Sequence, residues 1–457
     1  MSSPVMVPRR RRSLAGPIIL IILGVMFLFG NMGLLTWAVL ARWFAHWWPM
    51  LIILWGIVKL VEHYQAQREG MRPSGIGVGG VFLLILVIGC GIAASSASRV
   101  NWHALGDQID LGDSDFPAFG NSYTYSHNEV QNFPAGGSLH VVCDRGSVVI
   151  NPSSESSVRV EVNKKIVADS QSQADTFDSQ TQPVISVAGN MVTVNANTSG
   201  AGDRYVAADL TIYVPRAAPL DVASRRGDVS VHGRDGDTKI SDSKGDVELD
   251  NVAGKVQVIL RKGSFTASHV QGDLSLDGRL DDTNISDVHG AVTLTGDYFG
   301  DLNLSKITRT VAFKSSRTDM EFSKLDGDLS MESGDLRGRA LTGPFRLTTR
   351  SKDIHLEEVS GPVKIENSNG QVELHPSGTA GSIQIDNKKG DIDLVLPAKS
   401  SFQVSAQAHR GDIQSDFSEL RVDSQGENHS ANGSIGGGGT QIQVNNQFGD
   451  ISIRKAG

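Results

Sequence analysis

The sequence predicts an all-β parallel β-solenoid, or β-helix, of about 18-residue coils, preceded by an α-helical membrane region of three transmembrane helices. Three observations carry this. From Gly227 onward the chain repeats Gly-Asp-apolar-x-apolar every nine residues, a slower rhythm doubles that period, and the first hundred residues hold three apolar stretches. Self-similarity at a fixed period marks a stacked array, to be read as such before any single residue is given a role.

The repeat begins at Gly227-Asp228-Val229-Ser230-Val231 and returns at Gly236, Gly245, Gly254, Gly263 and Gly272. A later block restarts at Gly334, Gly343, Lys352, Gly361 and Gly370. The second and fourth residues after the Gly are apolar, as in Val247 and Leu249, Phe345 and Leu347, or Val363 and Ile365, which predicts a short strand with one buried face. The Gly-Asp pair forms the turn, because Gly accepts positive φ and Asp is expected to bond its own backbone. The seventh position is apolar only in alternate units (Val252, Val270, Val288, Ile307, Leu325, Leu341, Val359), so one coil holds two unlike strands and about 18 residues.

An antiparallel meander would give the same alternation, but it needs roughly two dozen strands in one open sheet, and its short hairpins favour Asp-Gly over Gly-Asp. One coil buries about five apolar side chains at roughly 1.5–3 kcal/mol each, against about 1–2 kcal/mol per residue for ordering its backbone. Coils therefore depend on their neighbours.

The chain divides into a transmembrane region at 1–97 (spans about 14–40, 47–63 and 76–97), a linker at 98–135 and an exported β domain at 136–457. Within the last, 136–222 is a lead-in β region and 223–457 holds the regular repeats. Arg9 to Arg12 precede the first stretch, and Lys59, Arg68 and Arg72 lie before the third, which places both sites in the cytoplasm and exports everything after Ala97. Trp37, Trp43, Trp47, Trp48 and Trp102 fall at the outer interface of that topology, as aromatic belts do. The expected location is the plasma membrane, multi-pass, with a cytoplasmic N-terminus and a periplasmic or extracellular C-terminal domain. A cleaved signal peptide is the rival, but no small-residue cleavage site follows the first stretch. Cys90, after Val87-Ile88-Gly89, mimics an acylation box but lies too deep in the chain, and reads as a helix thiol.

Asp, Ser, Asn and Gly dominate the linker. Ala168 to Gln182 reads as a surface helix or loop, and Ser415 to Thr440 as a Ser, Asn and Gly-rich excursion. Two cysteines make no disulfide framework, and a formal charge of −8 without basic patches argues against nucleic acid as a partner.

No catalytic, cofactor-binding or metal-ligating residue is assigned, and no cofactor is expected. The repeat lacks the extra glycines of calcium-binding Gly-Gly-x-Gly-x-Asp arrays. His232, His269, His289, His355, His375 and His409 read as solvated turn residues without metal-ligand spacing. No nucleophile elbow or phosphate loop occurs. A polysaccharide-cleaving β-helix would need paired carboxylates, which sequence alone does not bring together.

Ile212-Tyr213-Val214-Pro215, Pro219-Leu220-Asp221-Val222, the serial Gly-Asp strands and the closing Gly449-Asp450-Ile451-Ser452-Ile453 resemble the adhesin-like β-strand-repeat domain of LiaG and YvlB-type proteins, over roughly 136–457. Leu23-Gly24-Val25, Gly30-Asn31-Met32-Gly33-Leu34-Leu35 and Trp48-Pro49-Met50-Leu51 are similar to the membrane region of LiaI and LiaF-like proteins. The resemblance implies a bacterial envelope protein associated with stress systems, and brings no catalytic residues. The expected function is a non-enzymatic, membrane-anchored adhesion or scaffold surface, displayed at positions such as Ser230, Glu248, Gln257, Lys364 and Glu373. Its partners would be the lipid bilayer and envelope polymers or other membrane proteins. The alternative is an accessory or sensor component of an envelope-stress response.

Overall fold

Each unit from Gly227 to Gly272 folds into one short strand with its apolar pair inward and a corner after it. The computed structural model describes residues 121–201 and 206–456. The three expected membrane spans, and 98–120 of the expected linker, lie outside the described residues. Among the described residues no helix is long and apolar enough to cross a membrane.

The lead-in contains β1 (Asn121–Asn132), β2 (Ser138–Cys143), β3 (Val148–Ser153), β4 (Ser157–Ala168), helix α1 (Gln171–Gln180), β5 (Val184–Ala188), β6 (Met191–Asn195) and β7 (Val206–Pro215). The expected linker therefore ends early: 121–132 is strand β1, paired antiparallel with β4 along its length. Its Tyr123 and Tyr125 pack beside Ile166 and Phe177, which explains why so polar a segment is ordered. Ala168 to Gln182 resolves into α1, capped by Ser170 and pinned where Lys164 Nζ meets the Asp178 carboxylate at 2.5 Å.

The regular stack follows as β8 (Leu220–Ser224), β9 (Val229–Arg234), β10 (Thr238–Asp242), β11 (Val247–Val252), β12 (Val256–Leu260), β13 (Phe265–Val270), β14 (Leu274–Leu280), β15 (Thr283–Val288), β16 (Val292–Tyr298), β17 (Leu302–Ile307) and β18 (Val311–Lys314). Even-numbered strands form a first sheet and odd-numbered strands a second, all parallel within this block. Neighbours are offset by 18 residues, as in Thr238 beside Val256. The offset grows to 19 at β17 and β18, as in Val292 beside Val311.

The slower rhythm is one corner. Val252, Val270, Val288, Ile307, Leu325, Leu341 and Val359 are all buried in a single column. The residue before each of six of them (Asn251, His269, Asp287, Lys306, Ala340, Glu358) takes φ between 51° and 56°, a left-handed bend that turns the next side chain inward. Gly233 does the same ahead of Arg234, which stands in the column beside Val252.

At the corners of Gly236, Gly254 and Gly272 glycine is required for close approach and not for a positive φ. A Cβ on Gly272 would lie 2.3 Å from the carbonyl oxygen of Gly254 one coil away, and Gly254 stands in the same relation to Gly236 at 2.4 Å. The Asp expectation is corrected. Asp228 Oδ1 accepts from the backbone N–H of Asp246 at 2.9 Å, and Asp246 Oδ1 from that of Ser264 at 2.8 Å, so the bond runs to the next coil and not to the residue's own turn. Asp237, Asp273, Asp353 and Asp391 repeat it.

After β18 the parallel order breaks. β19 (Thr318–Phe322) and β20 (Lys324–Met331) form a coil that runs antiparallel to β17 and β18 before it and to β21 (Asp335–Arg339), β22 (Leu341–Thr342) and β23 (Phe345–Thr349) after it. Between Gly300 and Gly327 the sequence has no glycine, and tight turns at 315–317 and 332–334 reverse the chain twice. Gly334 sits in the second of these turns with open space around it, and it also opens the second block, since β21 stacks parallel on β24 at the 18-residue offset. Lys352, in a glycine position, donates through Nζ to Glu332 and Ser333 carbonyls under that hairpin.

Parallel stacking resumes with the bent strands β24 (Asp353–Asn367) and β25 (Val372–Lys389), then β26 (Ile392–Pro397), β27 (Phe402–His409), β28 (Ile413–Ser415), β29 (Arg421–Gln425), β30 (Asn428–Ile435), β31 (Thr440–Phe448) and β32 (Ile451–Ala456). The excursion expected at Ser415 to Thr440 is instead mostly strand: β29 and β30 form a hairpin whose second strand pairs antiparallel with β27. Both ends of the stack are out of sequence order. β2 and β3 lie between β6/β7 and β8/β9, and β31 and β32 lie between β25/β26 and β27/β28.

Candidate functional site

Residues between the buried pairs point outward, and parallel stacking lines them up across coils. On the second sheet the row runs Ser230, Glu248, Thr266, Asn284, Asn303, Ser330, Arg337, His355, Glu373, Asp393 and Ser452. Every member is polar. The row crosses the reversed coil without a break because β20 and β21 keep side-chain alternation in phase with their neighbours.

Where the row passes that coil the sheet forms a concavity of about 650 Å³, bordered by Asn284, Asn303, Asp328, Ser330, Arg337 and His355 among others. Asn303 Nδ2 donates to Asn284 Oδ1 at 3.0 Å, and Arg337 bonds Asp335 at 3.3 Å. Next to it, Glu373 is shared by two histidines: His355 Nδ1 is 2.9 Å from Oε2 and His375 Nε2 is 3.0 Å from Oε1. The hydrogen bond with His355 is the main influence holding the Glu373 carboxyl below its usual range.

The five display positions named from sequence do not form one patch. Ser230, Glu248 and Glu373 belong to this row, whereas Gln257 and Lys364 stand on the first sheet. The histidines also differ from expectation. His355 and His375 are on strands, and His269, at a bend, lies 2.9 Å from Asp250. His269 and His355 meet a carboxylate one coil away and His375 one on its own strand, while His269 keeps 62 % of its side chain exposed as a solvated corner residue does. Among the described residues no group of three or more His, Cys, Asp or Glu side chains is placed to hold a metal ion.

Two buried groups escaped the sequence reading. Arg234 is 0 % exposed and donates from its two Nη atoms to the carbonyls of Val214, Pro215 and Ala218, at 2.9, 2.6 and 2.8 Å. Burial pulls its guanidinium down to about 10. Asp242, 2 % exposed, ends β10 in a column that also holds the apolar Leu260 and four residues that donate to a glycine carbonyl three residues on: Cys143 to Gly146, Ser224 to Gly227, Asn367 to Gly370 and Asn387 to Gly390. Burial pushes the Asp242 carboxyl up to about 6, and its Oδ2 has no hydrogen-bond partner.

The LiaF transmembrane domain model matches residues 15–106, which makes this a membrane-associated protein. No curated protein matches the chain. Similar solved structures include a "putative cell adhesion protein" of Clostridium sporogenes, 10% identical, covering 73% of this chain and 100% of that one with a TM-score of 0.19. Another is a "putative lipid binding protein" of Parabacteroides distasonis, 11% identical, covering 74% and 98% with a TM-score of 0.21. At superpositions this loose the likeness says nothing about function. The Toastrack DUF4097 model matches residues 139–454, well over half of the chain, and the protein belongs to that family.

Proposed function

We propose that this is a non-enzymatic, membrane-anchored bacterial envelope protein whose β domain is a contact surface for adhesion or scaffolding. The observation that carries the reading is the unbroken polar row of the second sheet, with its concavity at the reversed coil. Amides, hydroxyls and charges repeated at each coil spacing of about 4.8 Å suit an extended, hydrogen-bonding polymer better than a small apolar ligand. In this reading the spans at 14–40, 47–63 and 76–97 anchor the chain with a cytoplasmic N-terminus, 98–120 is the tether, and the β domain is periplasmic or extracellular. The full chain in nanodiscs would be tested for binding to purified envelope polymers, with Asn303→Lys and Ser330→Lys as face variants. Binding weakened at least tenfold by these variants supports the proposal; no binding to any envelope polymer or membrane protein removes it.

A second reading, an accessory or sensor component of an envelope-stress response, is favoured by the LiaF transmembrane match. Deleting 121–457 while keeping the membrane region separates the two. Unchanged stress output would exclude sensing by the β domain.

A further inference from the structure

Each sheet ends in strands whose outer edge has no strand partner among the described residues: β1 and β28 on the second sheet, β5 and β29 on the first. Free strand edges are templates for another chain, and proteins blunt them with charge, proline or brevity. β29 carries Arg421 and Asp423, β28 has three residues, and β1 carries Glu129 and His127. β5, Val-Ile-Ser-Val-Ala, has no charge, and Pro183 lies just outside it. Its apolar groups are also left uncovered. Ile185 packs against the main core, but Val187, opposite the buried Val192 of β6, is 43 % exposed and Val184 is 50 % exposed. Among the described residues the core reaches this edge and stops without a cover.

We propose that β5 pairs antiparallel with β5 of a second copy of this chain, about a two-fold axis through Ser186. The strand is symmetric in character about that residue, with two apolar side chains on either side. In this register Ser186 faces the partner's Ser186, Ile185 faces the partner's Val187, and Val184 faces the partner's Ala188. Opposed residues in an antiparallel pair share a face, so Ile185 and Val187 of both copies meet on the inner side and the two cores become continuous. No strand charge opposes its own copy, so self-pairing meets no repulsion, unlike the edges that carry Arg421, Asp423 or Glu129. A two-fold contact also closes, giving a dimer and not a filament.

The test uses the full chain in nanodiscs with Cys90→Ser, leaving Cys143, which is buried and whose thiol burial pushes up to about 12. Under mild oxidation Ser186→Cys should cross-link rapidly, because opposed Cα atoms about 4.5–5.5 Å apart suit a disulfide. Val184→Cys should cross-link at least tenfold more slowly, since the two copies of that residue stand about 14 Å apart in this register. Val187→Lys, at an already half-exposed position, should slow the Ser186→Cys reaction at least tenfold and leave single copies in light scattering. Equal cross-linking by Ser186→Cys and Val184→Cys, or no effect of Val187→Lys, overturns the proposal.

Discussion

Asp242 stands where the fold asks for a hydrogen-bond donor, and replacing it tests that account. Cys143, Ser224, Asn367 and Asn387 in its column give an S–H, O–H or N–H to the glycine carbonyl three residues on, whereas an ionised carboxylate has nothing to give. With burial raising the carboxyl from 3.8 to about 6, the folded state holds a proton that the unfolded state releases. The sign follows: below about pH 4 both states are protonated and nothing is lost, and stability falls as pH rises from about 4 to about 6. Above that the full penalty applies, about 3 kcal/mol at 1.36 kcal/mol per pKa unit. Asp242→Asn supplies an N–H donor as Asn367 and Asn387 do, and should recover that amount at pH 8 and almost none at pH 3.5. Residues 121–456 at about 2.1 cal/mol/K each imply a melting-temperature gain of roughly 4 °C at pH 8. Thermal melts of both proteins across pH 3.5 to 8 read it directly. A difference in Tm that does not change with pH would refute the reasoning.

Three further outcomes follow from the packing. Gly272→Ala forces a Cβ against the Gly254 carbonyl and should cost about 1–3 kcal/mol in urea unfolding, whereas Gly334→Ala, in open space, should stay within about 0.5 kcal/mol. Arg234→Val matches the size class of the column but strands the carbonyls of Val214, Pro215 and Ala218; a loss of at least about 3 kcal/mol is expected, and a neutral result would show that those bonds contribute nothing net. Ile453→Ala, in a strand enclosed between β26 and β28, should cost about 2–5 kcal/mol, as urea unfolding would show.

The coil was legible because it is written locally and repeated. Inward pairs such as Val247 and Leu249 recur every nine residues, and the alternate apolar corner at Val252 and Val270 reports which half-units are equivalent. What stayed hidden depends on neighbours distant in sequence. The Asp ladder needs residue 246 to lie one coil from residue 228, so a rule about local turns assigned the right residue type to the wrong partner. The reversed coil did leave a signal, the glycine gap between Gly300 and Gly327, and Arg234 left another as a charge in an apolar column. The polar row left only alternation. Its members are ordinary surface residues singly, and only register shows that Glu373 shares a row with Ser230 while Gln257 does not.

The out-of-order ends bear on how such a stack holds together. Repeat arrays fray from their last unit, which has one neighbour and one free chain end. Here the last two-strand coil at the C-terminal end, β27 with β28, carries the β29–β30 hairpin on its outer edge and is tied at both ends: it enters from β26 and returns through β29 and β30 to β31, which lies beneath it. When it detaches it becomes a closed loop of roughly 40 residues and not a free tail, and by loop-closure entropy gains about 3 kcal/mol less freedom. A protease site inserted at Gly426, a turn residue where an added Cβ would meet nothing within 4 Å, converts the loop into two tails without touching the core. Cleavage should lower hydrogen-exchange protection in β27 and β28 by about 3 kcal/mol, and leave β10 to β15 unchanged. Protection of β27 and β28 that is the same before and after cleavage would show that the threading of the chain end contributes nothing, and that side-chain burial alone holds the last coil.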